Sequence, residues 1–335
     1  MLRLRSILTY LLLIILTTGA FSFIASATET DILTSNRPLD VITMPEEDSG
    51  GVFSIALSPD GSLIATGGRD GLLHLWDGVD YSHLATLDAH EGSLRHIEFS
   101  PDGSILATTG FDGMVIFWDP VEKTQTHAWQ AHKDYIRTVA FSPDGKVVAT
   151  AGADSKAKIW DVKSQELLQT LEGHENRIMN LRFSPDGSIV VTVSWDETIG
   201  VWDIESGSML HRLEGHDDAV LSVAFSPDGE IMATGSRKRR NNIFLWDVNS
   251  WEKLTVLPGQ EGSIWDMVFT PNGRYLLSAA YDETVKIWNL ETNEEHITMR
   301  HRNPIWTICL IPHNDHLLTG WDSKEVRIYS LKGVW

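Results

Sequence analysis

A single cysteine in 335 residues, Cys309, leaves no disulfide possible within one chain. The fold must then be held by its core, and a chain of this length can bury a large one. Cys309 lies in an apolar strand-like stretch, as expected of a buried thiol acting as a small hydrophobe. Cations are scarce as well: 27 Lys and Arg face 46 Asp and Glu, a formal charge of −19. Nucleic-acid binding normally needs a broad basic face, so no nucleic-acid partner is expected. The G-x-S-x-G elbow, the H-E-x-x-H zinc motif, the P-loop and the dinucleotide glycine pattern are all missing. No catalytic residue, cofactor or metal is therefore expected. His313-Asn314-Asp315-His316 gathers ligand-type residues, but in a turn that reads as a worn repeat feature.

One stretch lacks charge altogether, from Arg5 to Glu29. Residues 1–27 begin with Arg3 and Arg5, run apolar from Ile7 through Leu16, and end Ala25-Ser26-Ala27. A basic start, apolar middle and A-x-A end describe a signal peptide, with cleavage expected after Ala27. An uncleaved membrane anchor is the alternative, because the stretch is long enough to span a bilayer. Both readings leave the two Arg in the cytoplasm and the remainder outside. The protein is thus expected to be exported (secreted, periplasmic or cell-surface), touching a membrane only if the leader is kept. Residues 28–37 read as a short polar tether.

What the rest of the chain has is repetition. S-P-D-G begins at Ser58, Ser100, Ser142, Ser184 and Ser226, each 42 residues after the last; T-P-N-G follows at Thr270 and I-P-H-N at Ile311. Trp76, Trp118, Trp160, Trp202, Trp246 and Trp288 keep the same beat, with Tyr329 in the seventh slot. Within one unit, Leu94–Phe99, Ile105–Thr108 and Met114–Trp118 read as short strands separated by turn residues. No single sheet of this kind can bury both faces, whereas seven packed radially can.

The G-H…S-P-D-G…W-D pattern resembles the WD40 β-propeller family over residues 38–335. That resemblance implies an all-β, seven-bladed propeller of four-stranded antiparallel blades, closed by the N-terminal segment 38–44 supplying the outer strand of the last blade. It also implies a buried His–Thr–Asp–Trp set in each regular blade. By position these are His90, Thr108, Asp112 and Trp118 in blade two; His132, Thr150, Asp154 and Trp160 in blade three; and His174, Thr192, Asp196 and Trp202 in blade four. Blade one has Asp48 in the His slot, blade six has Gln260, and blade seven has Tyr329 for Trp and an Asp322 one residue early. Blade five departs most, with Arg237-Lys238-Arg239-Arg240 where the turn Asp belongs.

Partners of this family usually dock on the face bearing the second turn of each blade. Residues carried onto that face are Arg69, Phe111, Ala153, Trp195, Tyr281 and Trp321 beside the turns. Phe53, Arg95, Arg137, Met179, Leu221, Trp265 and Trp306 enter the first strands, with Tyr135 and Arg177 two residues ahead of members of that set. Aromatics and Arg are the side chains enriched at binding hot spots. The expectation is a non-enzymatic, monomeric ring that binds a protein or peptide, with the four cations of blade five as either a solvated tip or a docking point for an acidic partner. Two other readings stay open: a small-ligand or glycan-binding propeller, and an enzyme with an unrecognised site. Titrating groups converging in the central channel would favour the last.

Overall fold

The computed structural model describes residues 38–45, 50–240 and 242–334, so the leader, the tether and Asp48 lie outside the described residues. Seven four-stranded antiparallel sheets follow one another along the chain as seven blades. The strands are short because the turns are forced. In the first S-P-D-G, Ser58 Oγ donates to Asp60 Oδ1 at 2.7 Å, and Gly61 N–H donates to Ser58 O at 2.8 Å with a left-handed φ of 74°. At the next turn a Cβ on Gly103 would lie 3.3 Å from Pro59, so each turn leans on its neighbour.

Burial follows strand position. In blade two, Leu106–Gly110 is wholly buried, whereas the outer strand Thr124–Gln130 is exposed at six of seven positions. The core lies between blades: Ala65, Leu73 and Leu75 of blade one pack on Leu94, Ile97, Phe99 and Leu106 of blade two. Each blade therefore hides its neighbour's face, and the ring has to close for every face to be covered.

Closure is made by the N-terminal strand, as expected. Asp40–Thr43 pairs antiparallel with Glu325–Ser330, matching Asp40 with Ile328 and Thr43 with Glu325. Ile42 and Met44 are buried by this pairing, at 4% and 3% exposure.

Candidate functional site

The repeated polar sets lie beneath the face. In blade three, Trp160 Nε1 donates to Thr150 Oγ1 at 2.9 Å, and that oxygen is 2.9 Å from His132 Nε2. His132 Nδ1 is 2.8 Å from Asp154 Oδ2. An ionised carboxylate only accepts, so Nδ1 carries the proton, the Thr150 hydroxyl donates to Nε2, and the indole donates to the hydroxyl. Blade two repeats the chain through His90, Thr108, Asp112 and Trp118 at 2.9 to 3.0 Å. Blade four does so through His174, Thr192, Asp196 and Trp202 at 2.7 to 2.9 Å. Burial is the largest single effect and would raise the carboxyls of Asp112, Asp154 and Asp196, but the imidazole partner and the backbone N–H bonds together outweigh it and hold each below the usual range.

The irregular blades rebuild the same junction from other residues. In blade six, Ser278 Oγ donates to Gln260 Oε1 at 2.5 Å and accepts from Trp288 Nε1 at 2.8 Å. In blade one, Trp76 donates to Thr66 Oγ1 at 2.9 Å and the Thr66 hydroxyl faces Met44 Sδ at 3.6 Å. Blade five keeps His216 on Thr234 at 2.8 Å and, lacking the Asp, stacks the imidazole on Phe244 at 3.9 Å. Burial pushes the His216 imidazole down to about 3. In blade seven, His301 Nδ1 meets Tyr329 OH at 3.2 Å.

Above these sets, one backbone device shapes the face. The innermost strand of every blade carries a register shift that leaves one residue unpaired: Phe53, Arg95, Arg137, Met179, Leu221, Trp265 and Trp306. Such a bulge re-aims a side chain, and here it puts all seven around one mouth of the central channel, where they line a cavity of about 160 Å³. Rings and guanidiniums run on from one another there. Trp265 and Trp306 are 4.9 Å apart, Phe53 meets Trp306 edge-on at 6.1 Å, and Arg95 lies 4.7 Å from Phe53 and 5.3 Å from Phe111. Phe111 stacks on Tyr135 at 4.9 Å, Arg177 donates to Tyr135 OH at 3.3 Å, and Trp195 is held between Arg177 at 4.0 Å and Arg237 at 4.9 Å. Arg137 completes the run 5.5 Å from Trp265.

Three of the expected face residues are not exposed on it. Trp321 is buried, with 2% exposure. Its register explains why: Ile305 pairs with Trp321 as Leu94 pairs with Gly110 and Ile136 with Gly152, so Trp321 fills a slot that elsewhere holds a small residue. The rim position in blade seven belongs to Asp322, which takes an ion pair from Arg69 at 2.8 Å. Met179 and Leu221 are buried together against Trp195 and Trp265 and only reach the cavity wall. Tyr281 stands apart from the ring chain at 56% exposure, beside Arg237 and Arg239. The basic turn is no free cationic tip. Arg237 pairs with Asp218 at 3.0 Å, Lys238 with Asp217, and Arg240 with Glu261 at 2.7 Å; Arg239 makes no ion pair among the described residues.

The channel below the mouth is polar in every blade: Ser54, His96, Thr138, Asn180, Ser222, Asp266 and Thr307 follow the bulge residues directly. Together with Glu98 and Arg182 they bring titrating groups together, the feature that would favour an enzyme. Hydrogen bonds nevertheless commit Glu98, Asp266 and His96 to the next blade, and Arg182 to Asn180 and Leu181 of its own strand. Glu98 accepts from Phe141 N–H at 3.0 Å, Asp266 from Ile308 N–H at 2.9 Å, and His96 Nδ1 from Val139 N–H at 3.4 Å. Burial pushes the Cys309 thiol up to about 12, which makes it inert. Among the described residues, no three His, Cys, Asp or Glu gather in a metal-binding arrangement; His316 is turned to Tyr81 OH at 2.7 Å.

A family profile for the IFT122 first beta-propeller matches residues 109–333, about two thirds of the chain, and the WD domain, G-beta repeat profile matches 40–77 and 81–119. The chain belongs to the WD40-repeat β-propeller family. Individual relatives match over single repeats. This WD40 chain is 52% identical over 48 residues to the small ribosomal subunit protein RACK1 of Medicago sativa, 14% of each chain. It is 54% identical over 41 residues to RACK1 of Schizosaccharomyces pombe, covering 12% of this chain and 13% of the relative. The ciliary WD repeat-containing protein ctxp80 of Euplotoides octocarinatus is 40% identical over 55 residues, 16% of this chain and 8% of the relative. Each match thus spans under a fifth of the relative's own length.

Sequence reasoning missed the polar layer of this propeller, although the signal was there. Its members keep the spacing of the bulge residues and sit one place after them. The rim position of Asp322 is hidden in the sequence because it reads as a turn Asp one residue early, and only the pairing of Ile305 with Trp321 reveals it.

Proposed function

We propose that this WD40 propeller is a non-enzymatic, exported scaffold that binds a protein or peptide on the face around its channel mouth. The observation carrying this reading is the run of rings and guanidiniums that passes through all seven blades, with Phe111 at 48% exposure on a predominantly acidic chain. Clustered aromatics and Arg beside solvent have the composition of binding hot spots. The family membership supports the reading. A mouth cavity near 160 Å³ is small against the ~300–1,000 Å³ of sites that enclose a small molecule, which disfavours a glycan pocket.

The test is capture of a partner by the purified protein, followed by affinity for Trp306→Ala. A hot spot at the centre of the face should lose at least ~2 kcal/mol of binding, with melting temperature unchanged. Lower stability with intact affinity would make the rings blade packing. Export rests on the residues of the leader, and the native protein should be extracytoplasmic and begin at Thr28; an intact mass retaining Met1 or Leu2 would mean an anchor.

A further inference from the structure

The upper wall of the mouth cavity offers hydrogen-bond donors with nothing to receive them. Arg95 Nε, Trp265 Nε1 and Trp306 Nε1 are buried there without a partner among the described residues. Buried donors left unpaired are costly, and three of them belong to residues that line this one cavity. Arg95 and Arg137 also make no ion pair among the described residues, although the chain is strongly acidic.

The acceptors that border the cavity are already engaged. Asp266 takes Ile308 N–H on Oδ2 and Met267 N–H on Oδ1, each at 2.9 Å. Asn180 Oδ1 takes Arg182 Nη1 at 3.1 Å, and Asp322 at the rim is taken by Arg69. The rings hold the faces of the guanidiniums, through Phe53 and Phe111 on Arg95 and Trp265 by Arg137. Their N–H edges are what remain for a ligand, and a planar guanidinium edge matches a carboxylate. Like charges crowd the site as well: burial first, then Arg95, pushes Arg137 down to about 9. An anion would relieve that repulsion.

Resting on the binding-face reading above, we propose that the mouth receives the carboxylate of a glutamate or aspartate side chain on the bound peptide. The cavity, about 160 Å³, is well above the ~10–15 Å³ that a single water needs, so a short side chain can enter it. Phe53, Trp265 and Trp306 would cover its methylenes while Arg95 and Arg137 take the oxygens.

The experiment uses pools of N-acetylated, C-amidated heptapeptides, free of acidic residues except at the centre, which is fixed as Glu, Asp, Gln or Lys. A fifth pool lacks acidic side chains but keeps its C-terminal carboxylate. Retention on the purified protein is read by mass spectrometry. The Glu and Asp pools should be retained at least ~10-fold over Gln and Lys, as for a charge-assisted pair. Glutarate, but not glutaramide, should displace them. In Arg95→Met/Arg137→Met the preference should collapse; the displacement arm reads the wild-type protein and stands even if this variant folds poorly. Equal retention of Glu and Gln, a preference surviving in a well-folded double variant, or retention of the free-carboxylate pool alone would each overturn the proposal. If Glu and Gln bind equally but Trp306→Ala abolishes both, the carboxylate assignment falls while the binding face stands. If no pool is retained and the captured partner ignores Trp306→Ala, the face itself falls.

Discussion

Thr150→Val tests whether the buried sets hold the blades. The change swaps a hydroxyl for a methyl of similar shape at a position with 0% exposure. It removes the one oxygen that takes Trp160 Nε1 and serves His132 Nε2, both at 2.9 Å. Two polar nitrogens lose their partner where water has no access, at about 1–3 kcal/mol each, so about 2–6 kcal/mol is expected. Thr150→Ser keeps the oxygen and loses one buried methyl, about 1 kcal/mol. Asp154→Ala should fall between them, because the Asp154 side chain is 22% exposed and water can replace part of its bond. The assay is the urea midpoint, with the slope checked for constancy, alongside thermal melting. A Thr150→Val protein within ~0.5 kcal/mol of wild type, or no more damaged than Thr150→Ser, would refute the reasoning.

Two further outcomes follow from burial. Burial pushes His216 down to about 3 and His301 to about 4, while an unfolded His titrates near 6.5. Below that pH the unfolded chain binds protons the fold excludes, so stability is complete above about 6.5 and falls toward 4 and 3, by about 2 kcal/mol per histidine at pH 5. The lowered carboxyls of Asp112, Asp154 and Asp196 act in the same direction further down, their contribution being lost as pH falls below the usual carboxylate range. A melting temperature that stays flat from pH 7 to 5, or a pH slope unchanged in His216→Phe, would contradict this. Deleting the chain through residue 45 removes the pairing of Asp40–Thr43 with Glu325–Ser330 and the burial of Ile42 and Met44, about 3–6 kcal/mol of apolar contact. It should also open an edge that pairs with other chains. A deletion that stayed monomeric by light scattering with unchanged melting would show closure lies elsewhere.

The fold was legible because period, turn chemistry and strand pattern agree. Ser100-Pro101-Asp102-Gly103 encodes its turn, and Trp118 marks its strand, with no help from the rest of the ring. Residues repeated in register, such as His132 with Asp154, could be located by counting. Counting fails where a blade changes length: Trp321 reads as a rim ring from the Asp after it, but pairing with Ile305 sends it inward. Nor could counting find ion pairs, since Arg69 and Asp322 are 253 residues apart and meet only because the first and last blades adjoin. The four cations of blade five looked free in the sequence for the same reason; Asp217, Asp218 and Glu261 come to them only in the fold.

Where the repeat departs from its own rule is informative. Blades two to four keep the full His–Thr–Asp–Trp set, and blades five to seven each replace part of it with Phe244, Gln260 or Tyr329. The altered blades also carry Tyr281, Trp265 and Trp306, while the regular ones supply Arg95, Arg137 and Arg177. The mouth is thus two-sided, guanidiniums from one arc of the ring facing indoles from the other. Departures concentrated in the arc that presents the indoles agree with the binding face proposed above, since local rules are broken most often where a surface is used. Because the bulge supplies the same backbone outlet in every blade, the residue presented at the mouth can differ from blade to blade while the ladder beneath it stays the same.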